Sequence, residues 1–204
     1  NTSDYNRGTL DLNLSPNFLD KHLTVELSGK GVYTYNNFAN SGAIGSAAFM
    51  DPTQDPYWRN SDGSIDYTTT NGFWNYGSGR GKDFTPNKLL GAGPLSQLYD
   101  SVNKSGSKRF IGRAAADYKV HGLEALRFNV ALSMDVSENK SANGVNVNSF
   151  QSYRDPDAMG IGKNHTGYNK SLNETLEAYA NFNETWGKHN LDVIAGYSWV
   201  HNYY

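Results

Sequence analysis

Five histidines, His22, His121, His165, His189 and His201, are the first residues to question for chemistry. A zinc site needs three or four nitrogen, sulfur or oxygen ligands converging on one ion. No two of these histidines have the spacing of a ligand pair on a strand or helix, and three of them fall in short turns. The stretch "NSDGS", Asn60 to Ser64, is oxygen-rich but lacks the remaining ligands of a calcium loop. "GSGRG" around Arg80 has no strand before it and no helix after it, so a phosphate cradle is not expected there. Cys is absent, which removes thiol catalysis and disulfides. No catalytic constellation emerges, and neither a metal nor a cofactor is expected. An enzyme ranks third among the function classes.

Aromatic side chains are the better candidates. Tyr57, Trp58, Phe73, Trp74 and Tyr76 cluster in a polar, glycine-rich stretch. Rings beside amides can stack on sugar faces or anchor a protein interface. They can equally pack a loop against itself. Substrate or partner contact is the functional expectation at these five positions.

The elements that must carry this stretch are strands. "LRFNVALSMDV" alternates without a slip: Leu126, Phe128, Val130, Leu132, Met134 and Val136 against Arg127, Asn129, Ala131, Ser133 and Asp135. Side chains in a strand point alternately to opposite faces, so one face is wholly apolar and the other carries charge. Six such segments are predicted, at about 5–15, 22–35, 108–120, 126–136, 172–185 and 190–203. Short turns "PNFLDK", "HGLEA" and "WGKH" join them in pairs, and each hairpin places a Lys and a His at its turn, as suits a solvated position. Long polar connections, about 36–107 and 139–171, lie between the hairpins. The first offers "NSGAIGSAAFM" for a short helix capped by Ser41. It also offers "TPNKLLGAGPLSQLYDSVN" with Thr85 as N-cap and Pro86 at the first helical position. Ile44, Phe49, Leu89, Leu90, Leu95 and Leu98 are the expected buried residues of these helices, whereas the stretch from Tyr57 to Tyr76 has no evident core.

Two readings follow from the alternation. In a soluble, secreted β-rich carbohydrate-binding module the apolar faces would meet in a core. In an outer-membrane barrel they would face lipid. A net charge of −2 removes the basic footprint of a nucleic-acid binder. No apolar run is long enough for a transmembrane helix, and a mean hydropathy of −0.66 is compatible with a barrel, whose strands are half polar. Alternating short and long connections are the barrel pattern of tight periplasmic turns and long outer loops. Strands of eleven or more residues exceed the five or six usual in soluble sheets and match a tilted span of about nine to eleven. Charges avoid the apolar faces except at Glu174 and Glu184, which fall near the predicted strand ends. Tyr33, Tyr35, Tyr197, Trp199 and Tyr203 gather at the loop-proximal ends like one side of an aromatic girdle. Phe18, Tyr118 and Trp186 suit the other side. The expected class is therefore all-β, an antiparallel transmembrane β-barrel segment of three hairpins, with Leu126, Phe128, Val130, Leu132 and Met134 facing lipid. The segment from "NTSDYNRGTL" to "GYSWVHNYY" reads as an internal piece of a longer chain.

"LDLNLSPNFLDKHLTVELSGKGVYT", "NSGAIGSAAFMDPTQDPY", "KRFIGRAAADYKVHGLEALRFNVALSMDVS" and "GKHNLDVIAGYSW" together resemble the SusC/RagA family of TonB-dependent outer-membrane transporters. The resemblance covers nearly the whole chain, loops included. It implies a parent barrel of about 22 strands with an N-terminal plug. It implies a bacterial outer-membrane location, and partnership with a SusD-like surface lipoprotein and with TonB, the latter through an N-terminal part not contained in these residues. The implied activity is import of glycans or peptides.

The charge-free alternation generates a direct test. In the full-length protein, Val130→Lys is expected to cost about 2–4 kcal/mol if the residue lies at mid-bilayer, and to cut the yield of folded barrel. Asn129→Lys, on the other face, should leave the yield unchanged. Heat-modifiable gel mobility of outer-membrane fractions reads both, and equal tolerance of the two changes would refute a lipid-facing Val130.

Overall fold

A computed structural model describes residues 3–154 and 160–204; positions 155–159, within the second long connection, lie outside the described residues. In chain order the elements are β1 (Asp4–Leu14), β2 (Asn17–Phe18), β3 (Leu23–Asn37), α1 (Gly42–Phe49), β4 (Gly77–Ser78), β5 (Thr85–Pro86), α2 (Pro94–Tyr99), β6 (Ser101–Lys119), β7 (Leu126–Val145), α3 (Phe150–Arg154), β8 (Lys163–Trp186) and β9 (His189–Tyr203). The chain is all-β in class, with three short α-helices and two single-turn 3-10 helices, Thr70–Gly72 and Gly81–Asp83, among the described residues. It forms two compact units. One comprises Arg7–Thr34, Gly106–Asn139 and Tyr168–Tyr204; the other is built mainly from Tyr35–Ser105 and Lys140–Gly167.

The first unit is a sheet of order β1-β3-β6-β7-β8-β9, with the two-residue β2 added to β3. Neighbours in space are neighbours in sequence, as expected for a chain of hairpins. Antiparallel β8 and β9 stay in register from Leu172↔Tyr203 to Trp186↔His189. That register sets Phe182 opposite Val193, Ala178 opposite Tyr197 and Leu176 opposite Trp199, so the apolar sides of the two strands form one surface. Leu10, Leu12, Leu27, Phe110, Phe128, Val130, Leu132 and Met134 are all exposed, and Leu126 is half-buried. An apolar surface of this extent is not left to water in an ordinary soluble domain.

The charged side of the sheet is laced across strands. Lys30 pairs with Asp11 at 2.8 Å and Arg127 with Asp117 at 2.8 Å. Arg109 grips Asp135 with two bonds, of 2.9 and 2.6 Å. Each exposed pair contributes little, about 0–1 kcal/mol, but together they fix which residues face each other.

Three strands are longer than the alternation predicts. β6 begins at Ser101, β7 continues to Val145 and β8 begins at Lys163. In "KNHTGYNKS" and its counterparts neither face is apolar, so backbone pairing goes on where the hydrophobic pattern has stopped. The longer β8 also moves Glu174 from a strand end to the middle of the strand. There it lies opposite His201, whose Nδ1 is 3.4 Å from its carboxylate, one step beyond the Leu176↔Trp199 pair.

The turns are more than solvated positions. Leu19, Asp20 and Lys21 are three successive residues in the left-handed region, with φ of 53°, 52° and 70°. Such a conformation costs about 1 kcal/mol or more per non-glycine residue and needs an external hold. His22 supplies it. Its Nδ1 donates to the Leu19 carbonyl at 3.0 Å and its Nε2 to the Glu124 carboxylate in the next hairpin at 2.9 Å. Both ring nitrogens face acceptors, which the imidazolium satisfies and neither neutral tautomer can. The His121 ring stacks on His22 at 3.9 Å, Tyr118 Oη meets its Nδ1 at 3.2 Å, and Lys119 pairs with Glu124.

The Glu124 bond holds the His22 pKa above its ordinary value. Lys119 first and His22 second hold Glu124 at about 2. The histidine contribution is complete below its unfolded value of 6.5 and is lost as pH rises through the folded value. The glutamate contribution is present above 4.5 and is lost as pH falls toward about 2. The two overlap between those limits. The melting-temperature gap between wild type and Glu124→Gln should therefore be widest in that window. It should shrink, without vanishing, at alkaline pH, where Lys119 still pairs. A gap independent of pH would show that His22 is not the charged partner.

Candidate functional site

The second unit contains the aromatic stretch, and it has a core of its own, contrary to what its sequence suggests. Phe84, Ala92 and Phe150 are buried together, with Trp58 and Tyr153 packed against them. Phe84 meets Trp58 edge-on at 6.3 Å and Tyr153 at 6.0 Å. These aromatics are single rings in polar surroundings, so no periodic signal marks them. Arg154 on α3 reaches across to the Leu90 and Lys88 carbonyls at 3.1 and 3.0 Å, tying the two long connections together.

All five predicted aromatics come together. Tyr57 and Phe73 bridge antiparallel, with ring centroids 6.1 Å apart. Trp58 and Trp74 lie 6.3 Å apart, and Trp74 meets Tyr76 edge-on at 4.6 Å. Phe73 stacks on Tyr99 at 5.7 Å. Each of the five is half-buried or less exposed. Trp58 is the most committed to packing: its Nε1 donates to Thr70 Oγ1 at 3.0 Å, and the Arg80 guanidinium lies 5.0 Å over its ring. Gly93 closes the strip from behind. A Cβ there would collide with the Trp74 carbonyl oxygen, so only glycine lets the backbones approach.

The polar frame around this strip was not read from sequence. Asp100 is 2% exposed and accepts from Asn71 Nδ2 and Ser96 Oγ, both at 2.8 Å. Asn71 also donates to the Val147 carbonyl at 2.8 Å. Burial pushes the Asp100 carboxyl above its ordinary value, against the pull of its donors. Asp66 is held low instead, by Thr68 first and then Thr69. Arg80, in the glycine-rich "GSGRG", donates to the Arg59 carbonyl and lies 3.5 Å from Asp66, so it is a brace. In "NSDGS" the Asp62 carboxylate closes its own turn on Ser64 N and Oγ at 3.0 and 2.7 Å. No cluster of three metal-ligating side chains exists among the described residues.

Several local expectations are overturned. Asn40 rather than Ser41 binds the first helical N–H of α1, at Gly42. Thr85 and Pro86 pair as β5 with β4 and cap no helix; α2 starts at Pro94 behind Gly93. Ile44, Phe49, Leu89 and Leu90, offered for burial, are 77%, 90%, 93% and 42% exposed. The short helices bury their small and polar side instead: Ala43 is buried, and Gln97 of α2 bonds Ser46 of α1 and the Ala92 carbonyl.

No protein-family model matches the chain. Over 207 aligned residues it is 29% identical to "TonB-dependent receptor SusC" of Bacteroides thetaiotaomicron, a match that covers 96% of this chain. The resemblance to SusC stands. The chain spans 19% of that relative's length, so the alignment covers only one portion of that protein. The all-β architecture is consistent with that relative, and no helix among the described residues is long and apolar enough to cross a membrane.

Trp58→Ala is expected to destabilise the packed connections by about 2 kcal/mol, below the 3–5 typical of a fully buried ring. Asp100→Ala should cost about 1–3 kcal/mol by orphaning Asn71 and Ser96. Phe49→Ser should stay within about 0.5 kcal/mol. Limited proteolysis of the full-length protein, scored for cleavage within residues 38–100, separates the first two from the third. Equal cleavage of all three would contradict this packing.

Proposed function

We propose that this chain forms part of the wall and outer loops of a TonB-dependent outer-membrane transporter of the SusC/RagA type. The carrying observation is the sorting of the sheet into an exposed apolar side and an ion-paired polar side. It occurs in a sequence that matches a TonB-dependent receptor along nearly its full length. In this reading the apolar side, including Leu126, Phe128, Val130, Leu132 and Met134, faces lipid, and the laced charges face the lumen. The cargo is a glycan or another oligomeric nutrient. A SusD-like lipoprotein works at the outer surface, and TonB acts through a part of the protein outside these residues.

The half-buried strip of Tyr57, Phe73, Trp74 and Tyr76 supports an outer contact role, because rings of the strip keep accessible surface after the loop has packed. Trp58, equally half-buried, contacts both Trp74 and the core residue Phe84. Replacing Phe73 and Trp74 with Ala in the full-length transporter should lower lipoprotein co-purification or oligosaccharide uptake severalfold at normal surface expression. Unchanged co-purification and uptake would restrict these rings to packing the loop.

A further inference from the structure

On the apolar side of the sheet, a shallow trough of about 650 Å³ crosses β1, β3, β6 and β7. Gly8 and Gly31 form its floor, and a Cβ added at either would meet nothing within 4 Å. The Phe110 ring closes one flank by folding over Gly112 and Gly29; a Cβ on Gly112 would lie 2.9 Å from that ring and one on Gly29 3.8 Å. Leu10 and Tyr33 complete the walls. Lys108 and Glu138 also line the trough, and strand alternation puts both on the same side as Phe110 and Val136. A cation and an anion therefore stand beside an apolar channel, at the level of β7 where the alternation of Leu126 to Val136 ends. Glu138 accepts from Tyr168 Oη at 3.4 Å, and Lys108 has no ion pair among the described residues.

We propose that this trough is a binding site for one phospholipid with a phosphoethanolamine headgroup. An acyl chain lies over Gly8 and Gly31, the phosphate meets Lys108 and the ammonium meets Glu138. The inference rests on the apolar side facing lipid. Charge complementarity selects the occupant: an anionic headgroup would leave Glu138 opposed, and a trimethylated amine offers it no N–H donor. Bulk annular lipid would need neither charged residue.

The test uses the full-length protein in nanodiscs of phosphatidylethanolamine, phosphatidylglycerol or phosphatidylcholine with matched acyl chains, followed by native mass spectrometry of retained lipid. One phosphatidylethanolamine should be retained in preference to the other two by about fivefold to tenfold, the factor expected from one or two partly exposed charged contacts. Lys108→Gln and Glu138→Gln should each abolish the preference. Gly31→Ile should remove the bound lipid altogether, since its side chain enters open space in a strand that accepts β-branched residues. Heat-modifiable mobility confirms that each variant folds. Equal retention of all three lipids, or retention unaffected by the variants, would overturn the site while leaving the membrane reading intact. A protein that folds and stays monodisperse without detergent or lipid would overturn the membrane reading itself.

Discussion

Every part of this chain answers to one constraint: a backbone N–H or C=O removed from water must find a partner. In the sheet, strand pairing meets that demand, and the two-residue period of the strand then sorts side chains whether or not a core exists. In the long connections only short backbone pairings form, such as β4 with β5, and side chains supply much of the rest. Asn71, Asn75 and Thr69 each bind backbone groups of distant segments, at Val147, at Gly93 and at Gly81. Arg154 and Arg80 do the same for carbonyls. The aromatic strip is held in place by this polar scaffold as much as by its own small core.

The left-handed turn at Leu19 to Lys21 shows how the constraint passes between hairpins. A strained turn is acceptable because His22 answers its carbonyl, and the His22 pKa is raised because Glu124 of the following hairpin answers the other nitrogen. Lys and His recur in all three turns of the sequence, but Lys188 and His189 of the last are absent from this cluster. The same residue types therefore act differently: two turns form a joint, and the third stays a hairpin end.

Legibility in the sequence followed the strength of the periodic signal. The centre of each strand was readable because a two-residue alternation of Leu, Val and Phe against charge fits a half-apolar strand and disagrees with the helical period. The ends of β6, β7 and β8 were not, since a strand polar on both sides looks like a loop. In the connections the identity of the aromatic cluster was readable and its support was not. Phe84 and Phe150 come from two different long connections, with nothing local to announce their meeting. Apolar residues in short helices misled in the opposite direction. Ile44 and Phe49 suggested burial, but α1 is too short to present a full stripe and buries Ala43 instead, while Leu89 and Leu90 lie between β5 and α2, outside any helix.

β8 runs unbroken from Lys163 to Trp186, far past the nine to eleven residues or so that a tilted membrane strand requires. If the Leu176 to Phe182 stretch lies in hydrocarbon, the same strand continues where water competes for its amides. Protection from amide hydrogen exchange should then fall along a single element, from the membrane-embedded residues toward Lys163, without any break in secondary structure. One continuous ladder would thus contain a rigid and a breathing segment, and the breathing segment leads directly into the connection after β7.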